Sequence, residues 1–170
     1  MTNEITPGWL ATYGTAVLAG RDVDERDTQG ALPVALVNEA YVHKFLRGRN
    51  PIGEMVRLLE STAPPKTIVG VVSDAVYVSV RDGVRPTVYM PLAQRDAGAP
   101  TAVTANVQIS VRSSAGSPAL LAPRVAAALT GVDRNLRFTL RPLQDRVDAS
   151  LTQERLVAVS VIARRWPPPA

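Results

Sequence analysis

The sequence predicts an α+β fold, a mixed sheet with packed helices arranged in two lobes, and three observations carry that prediction. Ile68-Val69-Gly70-Val71-Val72 is a nearly continuous β-branched run, the pattern of a buried strand broken once by a glycine. Val103–Arg112 alternates over ten residues, which marks a half-buried strand. Ser117-Pro118 forms an N-cap and N1 pair ahead of Leu121, Val125, Ala128 and Leu129, which share one helical face. With 170 residues, 46% apolar and 20% charged, the chain has enough material for one domain or two small lobes with a true core. Aromatics make up only 5%, so Val, Leu, Ile and Ala must build that core.

The elements follow in order. Thr6 as N-cap and Pro7 at N1 open a helix that Gly14 ends. Val17–Arg21 is extended and leads into the charged loop Asp22–Gln29. Leu32–Val37 reads as a buried strand, after which Asn38 caps the helix Glu39–Leu46, with Val42, Phe45 and Leu46 on its apolar face. Asn50-Pro51-Ile52-Gly53 is a turn, with Pro fixing φ and Gly free to take positive φ. Glu54–Leu59 and Thr67–Val72 read as paired strands around the loop Glu60–Lys66. Ala75–Val80 alternates, Asp82-Gly83 is a turn, and Pro86–Leu92 reads as an edge strand or strand terminus held between two prolines. Gln94–Thr101 separates the lobes. Beyond it, Val103–Arg112, a helix closed by Gly131, and a strand Leu136–Leu140 make a β-α-β-type unit. Leu143, Val147 and Leu151 stripe a final helix, and the prolines of Arg164–Ala170 cannot continue it.

Chemistry-bearing groups are few. There is no cysteine, which removes disulfides and thiolate metal sites. His43 is the one histidine, set mid-helix between Glu39 and Arg47, and reads as a solvated surface side chain. Asp22, Asp24, Glu25 and Asp27 lack the Gly and terminal Glu of a calcium loop, so they read as a solvated loop. Neither Gly-x-x-x-x-Gly-Lys-Ser/Thr nor Gly-x-Gly-x-x-Gly occurs, and Ser73-Asp74 lacks the flanking glycines of a nucleophile elbow. Trp9 and Tyr13, one helical turn apart, read as core packing. Net charge is +4, and seventeen of the 19 basic residues are arginine. They are scattered rather than clustered into a basic stripe, which argues against nucleic acid as a partner. Met1–Glu4 lacks the basic and apolar regions of a signal peptide, and Leu156–Ala163 falls short of the roughly 20 apolar residues that span a bilayer.

Taken in order, several phrases resemble a known family. They are Pro7-Gly8-Trp9-Leu10-Ala11-Thr12-Tyr13-Gly14, Leu18-Ala19-Gly20-Arg21-Asp22 and Pro33-Val34-Ala35-Leu36-Val37-Asn38-Glu39-Ala40. They continue with Asn50-Pro51-Ile52-Gly53, Ile68-Val69-Gly70-Val71-Val72-Ser73-Asp74, Pro86-Thr87-Val88-Tyr89-Met90-Pro91-Leu92 and Leu151-Thr152-Gln153-Glu154-Arg155-Leu156. The chain resembles the MacB-like periplasmic core domain of FtsX-like ABC transporter permeases, especially the duplicated orphan permeases. The likeness runs over 6–158, with lobe one at 6–93, lobe two at 102–158 and an aberrant tail at 159–170. No single phrase is specific; their order and spacing are.

The resemblance implies a non-catalytic extracytoplasmic domain between the first two membrane helices of a permease, on the periplasmic side of the cell membrane. Such a domain couples membrane-helix motion to substrates or partner proteins outside. Its implied partners are the permease's transmembrane helices, a separate ATPase and an extracytoplasmic protein, with no cofactor. The residues that carry over are structural: Asn50, Pro51, Gly53, Gly70, Asp74, Pro86, Tyr89 and Pro91. Two departures are expected: the first part of the domain is missing before Thr6, which would expose a sheet edge, and Arg164–Ala170 replaces the second membrane helix. These mark the chain as a partial copy of a permease. The alternative is a free-standing soluble protein-interaction module derived from such a permease.

Overall fold

Strand Val34–Asn38 is buried at every position, and the rest of the sheet is arranged about it. The computed structural model describes residues 1–58, 64–75, 83–95, 107–113 and 117–143. Its elements are β1 (Thr2–Ile5), α1 (Trp9–Tyr13), β2 (Val17–Gly20), β3 (Val34–Asn38), α2 (Glu39–Tyr41, continued by a π-helical turn Val42–Leu46), β4 (Met55–Val56), β5 (Lys66–Val72), β6 (Val88–Pro91) and α3 (Ala122–Val132). The strands form one six-stranded mixed sheet ordered β1-β6-β3-β5-β2, with β4 also pairing β5. β3 runs parallel to β5 and antiparallel to β6, while β1 runs parallel to β6.

An apolar cluster covers each face of this sheet. Ala35, Val37, Ile68, Val71 and Val88 pack with Leu46 and Val56 on one side. Leu36, Val72 and Tyr89 pack with Ile5, Leu10 and Val23 on the other. A register shift opposite Ala35/Leu36 explains how Ile68 and Val71 share a face although they stand three apart. The extra residue, Val69, turns to the opposite cluster, as a β-bulge requires.

Several expectations hold. Gly14 ends α1 in the left-handed region, and Asn38 Oδ1 caps α2 by accepting from the Tyr41 N–H at 3.1 Å. His43 is exposed. β4 and β5 pair antiparallel.

Others are corrected. The α1 cap is Gly8 at φ +82° rather than Thr6, whose carbonyl instead accepts from the Trp9 N–H. Phe45 is 52% exposed, because the π turn adds a residue and swings it off the apolar face onto Tyr41, 4.8 Å between ring centroids. Lys66 starts β5 instead of ending a loop. Pro86–Leu92 is no edge: β6 lies between β1 and β3 because Thr2–Ile5, which sequence reading left outside the sheet, pairs along it. The prolines are tolerated because Pro86 precedes the ladder and Pro91 is its last residue.

The chain divides into two compact units, Met1–Val111 and Arg112–Ala170, and all six strands lie in the first. Residues 107–113 and 136–140 are not strands among the described residues. Val107, Ile109 and Val111, which the alternation would bury, are all more than half exposed, and no described strand offers either segment a ladder. Gly131 lies inside α3, which ends at Val132 with Asp133 as C-cap. Ser117 is not its N-cap: a 3₁₀ turn, Pro118–Leu121, intervenes. The alternation over 76–80, the Asp82 turn position, most of the lobe boundary, Val103–Asn106, the final helix past Leu143 and the tail lie outside the described residues.

Candidate functional site

Two buried amides hold the ends of β3. Asn38 is fully buried and uses its whole hydrogen-bonding capacity. Its Nδ2 donates to Asp74 Oδ1 at 2.8 Å and to the Arg85 carbonyl at 2.9 Å. Its Oδ1 accepts from the Thr87 N–H at 2.8 Å as well as from Tyr41. One side chain thus joins the C-terminal end of β3, the start of α2, the chain leaving β5 and the chain entering β6. Asp74 extends the knot, since its Oδ1 also accepts from the Ala40 N–H at 3.0 Å. At the opposite end, Gln94 Oε1 accepts from the Val34 N–H at 2.9 Å and Nε2 donates to the Leu32 carbonyl at 2.8 Å.

A third tie anchors the loop after β2. The Arg21 guanidinium donates to both carboxylate oxygens of Asp27, at 2.7 and 2.8 Å, the bidentate geometry that gives the strongest charge-assisted pairs. Asp27 Oδ2 also accepts from the Asp24 N–H, and Arg26 holds Asp24 at 2.7 Å. The acidic cluster is therefore an ordered ion-pair knot with a buried member, not a wholly solvated loop. Among the described residues, no group of acidic or histidine side chains is placed to hold a metal ion.

The hydrogen bond from Arg21 holds Asp27 below the usual carboxylate range, and the one from Arg26 does the same for Asp24. Burial pushes Asp22 upward. A lowered folded-state pKa for Asp27 means stability that is present above the unfolded value of about 3.9 and lost as pH falls through the folded one. Arg21→Met should therefore cost roughly 1–2 kcal/mol at pH 7, a figure held down by the 40% exposure of the Arg21 side chain. That cost should shrink below about pH 4, as urea titrations at a series of pH values would show.

Of the expected structural residues, Gly70, Tyr89 and Pro91 lie in strands, and Asn50, Pro51, Gly53, Asp74 and Pro86 lie in the segments that flank them. Asn50 Oδ1 accepts from the Ile52 N–H, Gly53 takes φ +91°, and the Gly53 N–H donates to the Ile68 carbonyl at 2.9 Å, so the turn led by Pro51 is laced to β5. Gly70 lies inside β5, where an added Cβ would sit 2.2 Å from the Arg21 carbonyl oxygen. Asp74 joins the Asn38 knot, the chain around Pro86 leads into β6, Tyr89 is buried in it and Pro91 closes it opposite Ile5. Sequence reading missed Arg21 and Gln94 and saw only the cap role of Asn38. The available signal was an Arg within seven residues of four acids, and an Asn ending an otherwise apolar strand.

A six-stranded mixed sheet under helices, tied by buried amides, defines an α+β scaffold domain. Residues 1–156 match the model of the MacB-like periplasmic core domain, and the chain belongs to that family. It is the periplasmic domain family of MacB-like ABC transporter permeases. Its fold is similar to the crystal structure of the periplasmic region of MacB from Actinobacillus actinomycetemcomitans, with TM-score 0.55 and 18% identity over 77% of this chain and 56% of that one. Weaker likenesses are to a permease-protein domain from Porphyromonas gingivalis, TM-score 0.46, 19% identity, 80% and 65% covered. Another is to the extracellular domain of the noncanonic ABC-type transporter YknZ from Gram-positive bacteria, TM-score 0.41, 19% identity, 53% and 42% covered. The chain thus spans about half the length of the MacB periplasmic region. No curated protein matches it. Among the described residues, no helix is long and apolar enough to cross a membrane.

Proposed function

We propose that this domain is a non-catalytic, extracytoplasmic coupling module of an ABC transporter permease. Its sheet unit, Met1–Val111, moves as one body relative to the membrane helices and passes ATP-driven motion, supplied by a separate ATPase, to substrates or protein partners outside the membrane. The observation that carries this reading is the Asn38 knot. One buried amide fastens β3, α2 and the chain segments flanking β5 and β6, so force applied at that end is shared by the central sheet instead of peeling one strand. Membership of the periplasmic core family supplies the setting. The structural residues Asn50, Pro51, Gly53, Gly70, Asp74, Pro86, Tyr89 and Pro91 serve that stiffness rather than chemistry. The reading is tested in the assembled permease with its ATPase: ATP should change distances between Met1–Val111 and the membrane helices and leave distances inside that unit unchanged.

A further inference from the structure

The end of the sheet away from Asn38 carries an unused charge. Lys66 opens β5 with only 8% of the residue exposed. Among the described residues its side chain has no ion pair and no hydrogen bond, whereas Arg21, Arg26, Arg49 and Arg95 all reach carboxylates. Withdrawing an ammonium from water without a partner is costly, so such groups are held where a counter-ion or ligand completes them.

Lys66 lines a cavity of about 110 Å³ together with Thr28, Ala31, Pro33, Gln94 and Arg95. That is far below the roughly 300–1,000 Å³ of pockets for drug-sized ligands, so nucleotides and organic cofactors do not fit. Its walls are unequal. Ala31 and Pro33 are apolar, and Gln94 is fixed by its bonds to Val34 and Leu32. Arg95, also in the lining, already binds a carboxylate, that of Glu4, at 3.3 Å. A compact ammonium in a small, mostly polar cavity, with Ala31 and Pro33 beside it to meet a methylene, suits one carboxylate on a short stem better than a fully hydrated phosphate.

We propose that this cavity is a receptor for a single alkyl carboxylate, contributed either by a short free acid or by a Glu or Asp side chain of a protein partner. The proposal is independent of the permease reading. It also differs from the three structural ties, because Lys66 takes part in none of them.

The test uses the full chain labelled with ¹⁵N and titrated at constant ionic strength with propionate, with inorganic phosphate, and with a blocked Gly-Glu-Gly peptide. Propionate should give saturable shifts at the Ala31 and Lys66 amides and at the Gln94 side-chain amide, with phosphate weaker. Lys66→Met should weaken propionate binding by about tenfold or more, the size expected for a lost charged hydrogen bond. Lys66→Arg, which keeps the charge, should retain most of it and serves as the reference if the Met variant does not fold. Tighter binding of the peptide than of propionate assigns a partner's side chain, and equal binding assigns a free acid; either supports the receptor. Shifts that do not saturate, that survive in Lys66→Met, or that phosphate matches would overturn it.

Discussion

Replacing Asn38 by Ala should destabilise the domain by about 3–4 kcal/mol, the range for stripping a buried network of its central member. The loss exceeds that of an ordinary cap, worth roughly 1 kcal/mol, because three further groups each lose one hydrogen bond besides the Tyr41 N–H. The buried Thr87 N–H has no water to turn to, and the Arg85 carbonyl and Asp74 carboxylate lose their shared donor. Urea denaturation should show a lower midpoint with little change in slope, as for a loss of stability without a change in surface exposed. Asn38→Asp separates the two roles. It keeps an acceptor for Tyr41 and Thr87 but sets a second carboxylate against Asp74, so it should be worse than Ala near pH 7 and recover on acidification.

Gly70→Ala should cost about 3 kcal/mol or more, through backbone collision rather than lost contacts. Its Cβ would stand 2.2 Å from the Arg21 carbonyl oxygen and 2.8 Å from Leu36 Cδ2, and the first of these is backbone that cannot rotate away. The Arg21 N–H donates to the Val69 carbonyl at 2.9 Å, so relieving the clash would break the β2–β5 crossing and loosen the Asp27 knot behind it. Gly53→Ala is the informative contrast. Gly53 has φ +91° but open space around its would-be Cβ, so only conformational strain applies, about 1–2 kcal/mol. Equal losses at the two positions, read from matched thermal melts, would contradict the close-approach account of Gly70.

The sheet's centre was legible because period and residue type agree there. Val34–Val37 is aliphatic throughout and Ile68–Val72 is β-branched except at Gly70, the pattern of strands covered on both faces. Asn38 was legible as a cap because capping is local. Its larger role was not, because Asp74, Arg85 and Thr87 are 36 to 49 positions away, and it takes the parallel β3–β5 pairing to bring in the first and the antiparallel β3–β6 pairing to bring in the other two. β1 was invisible for a similar reason. Thr-Asn-Glu-Ile has little strand character, and only pairing along Val88–Pro91 makes it one. The bulge at Val69 and the π turn at Val42–Leu46 each add one residue to a regular period, which periodicity cannot anticipate; the second displaced Phe45. Alternation at Val107–Val111 misled in the other direction, since a pattern can fit a strand without a neighbour to pair with.

The central claim is that the sheet unit, Met1–Val111, transmits motion as one body, and distances measured between labels test it most directly. The chain contains no cysteine, so Cys introduced at the exposed positions Glu25 and His43 would be unique in it. Pulsed spin-label measurements would be made on the permease assembled with its ATPase in membranes, with and without a non-hydrolysable ATP analogue. The account predicts an unchanged Glu25–His43 distance and a nucleotide-dependent change between His43 and a label on a membrane helix. A His43-to-helix distance that ignores nucleotide in an assembly able to hydrolyse ATP would contradict it, as would a module that fails to remain with the permease membranes.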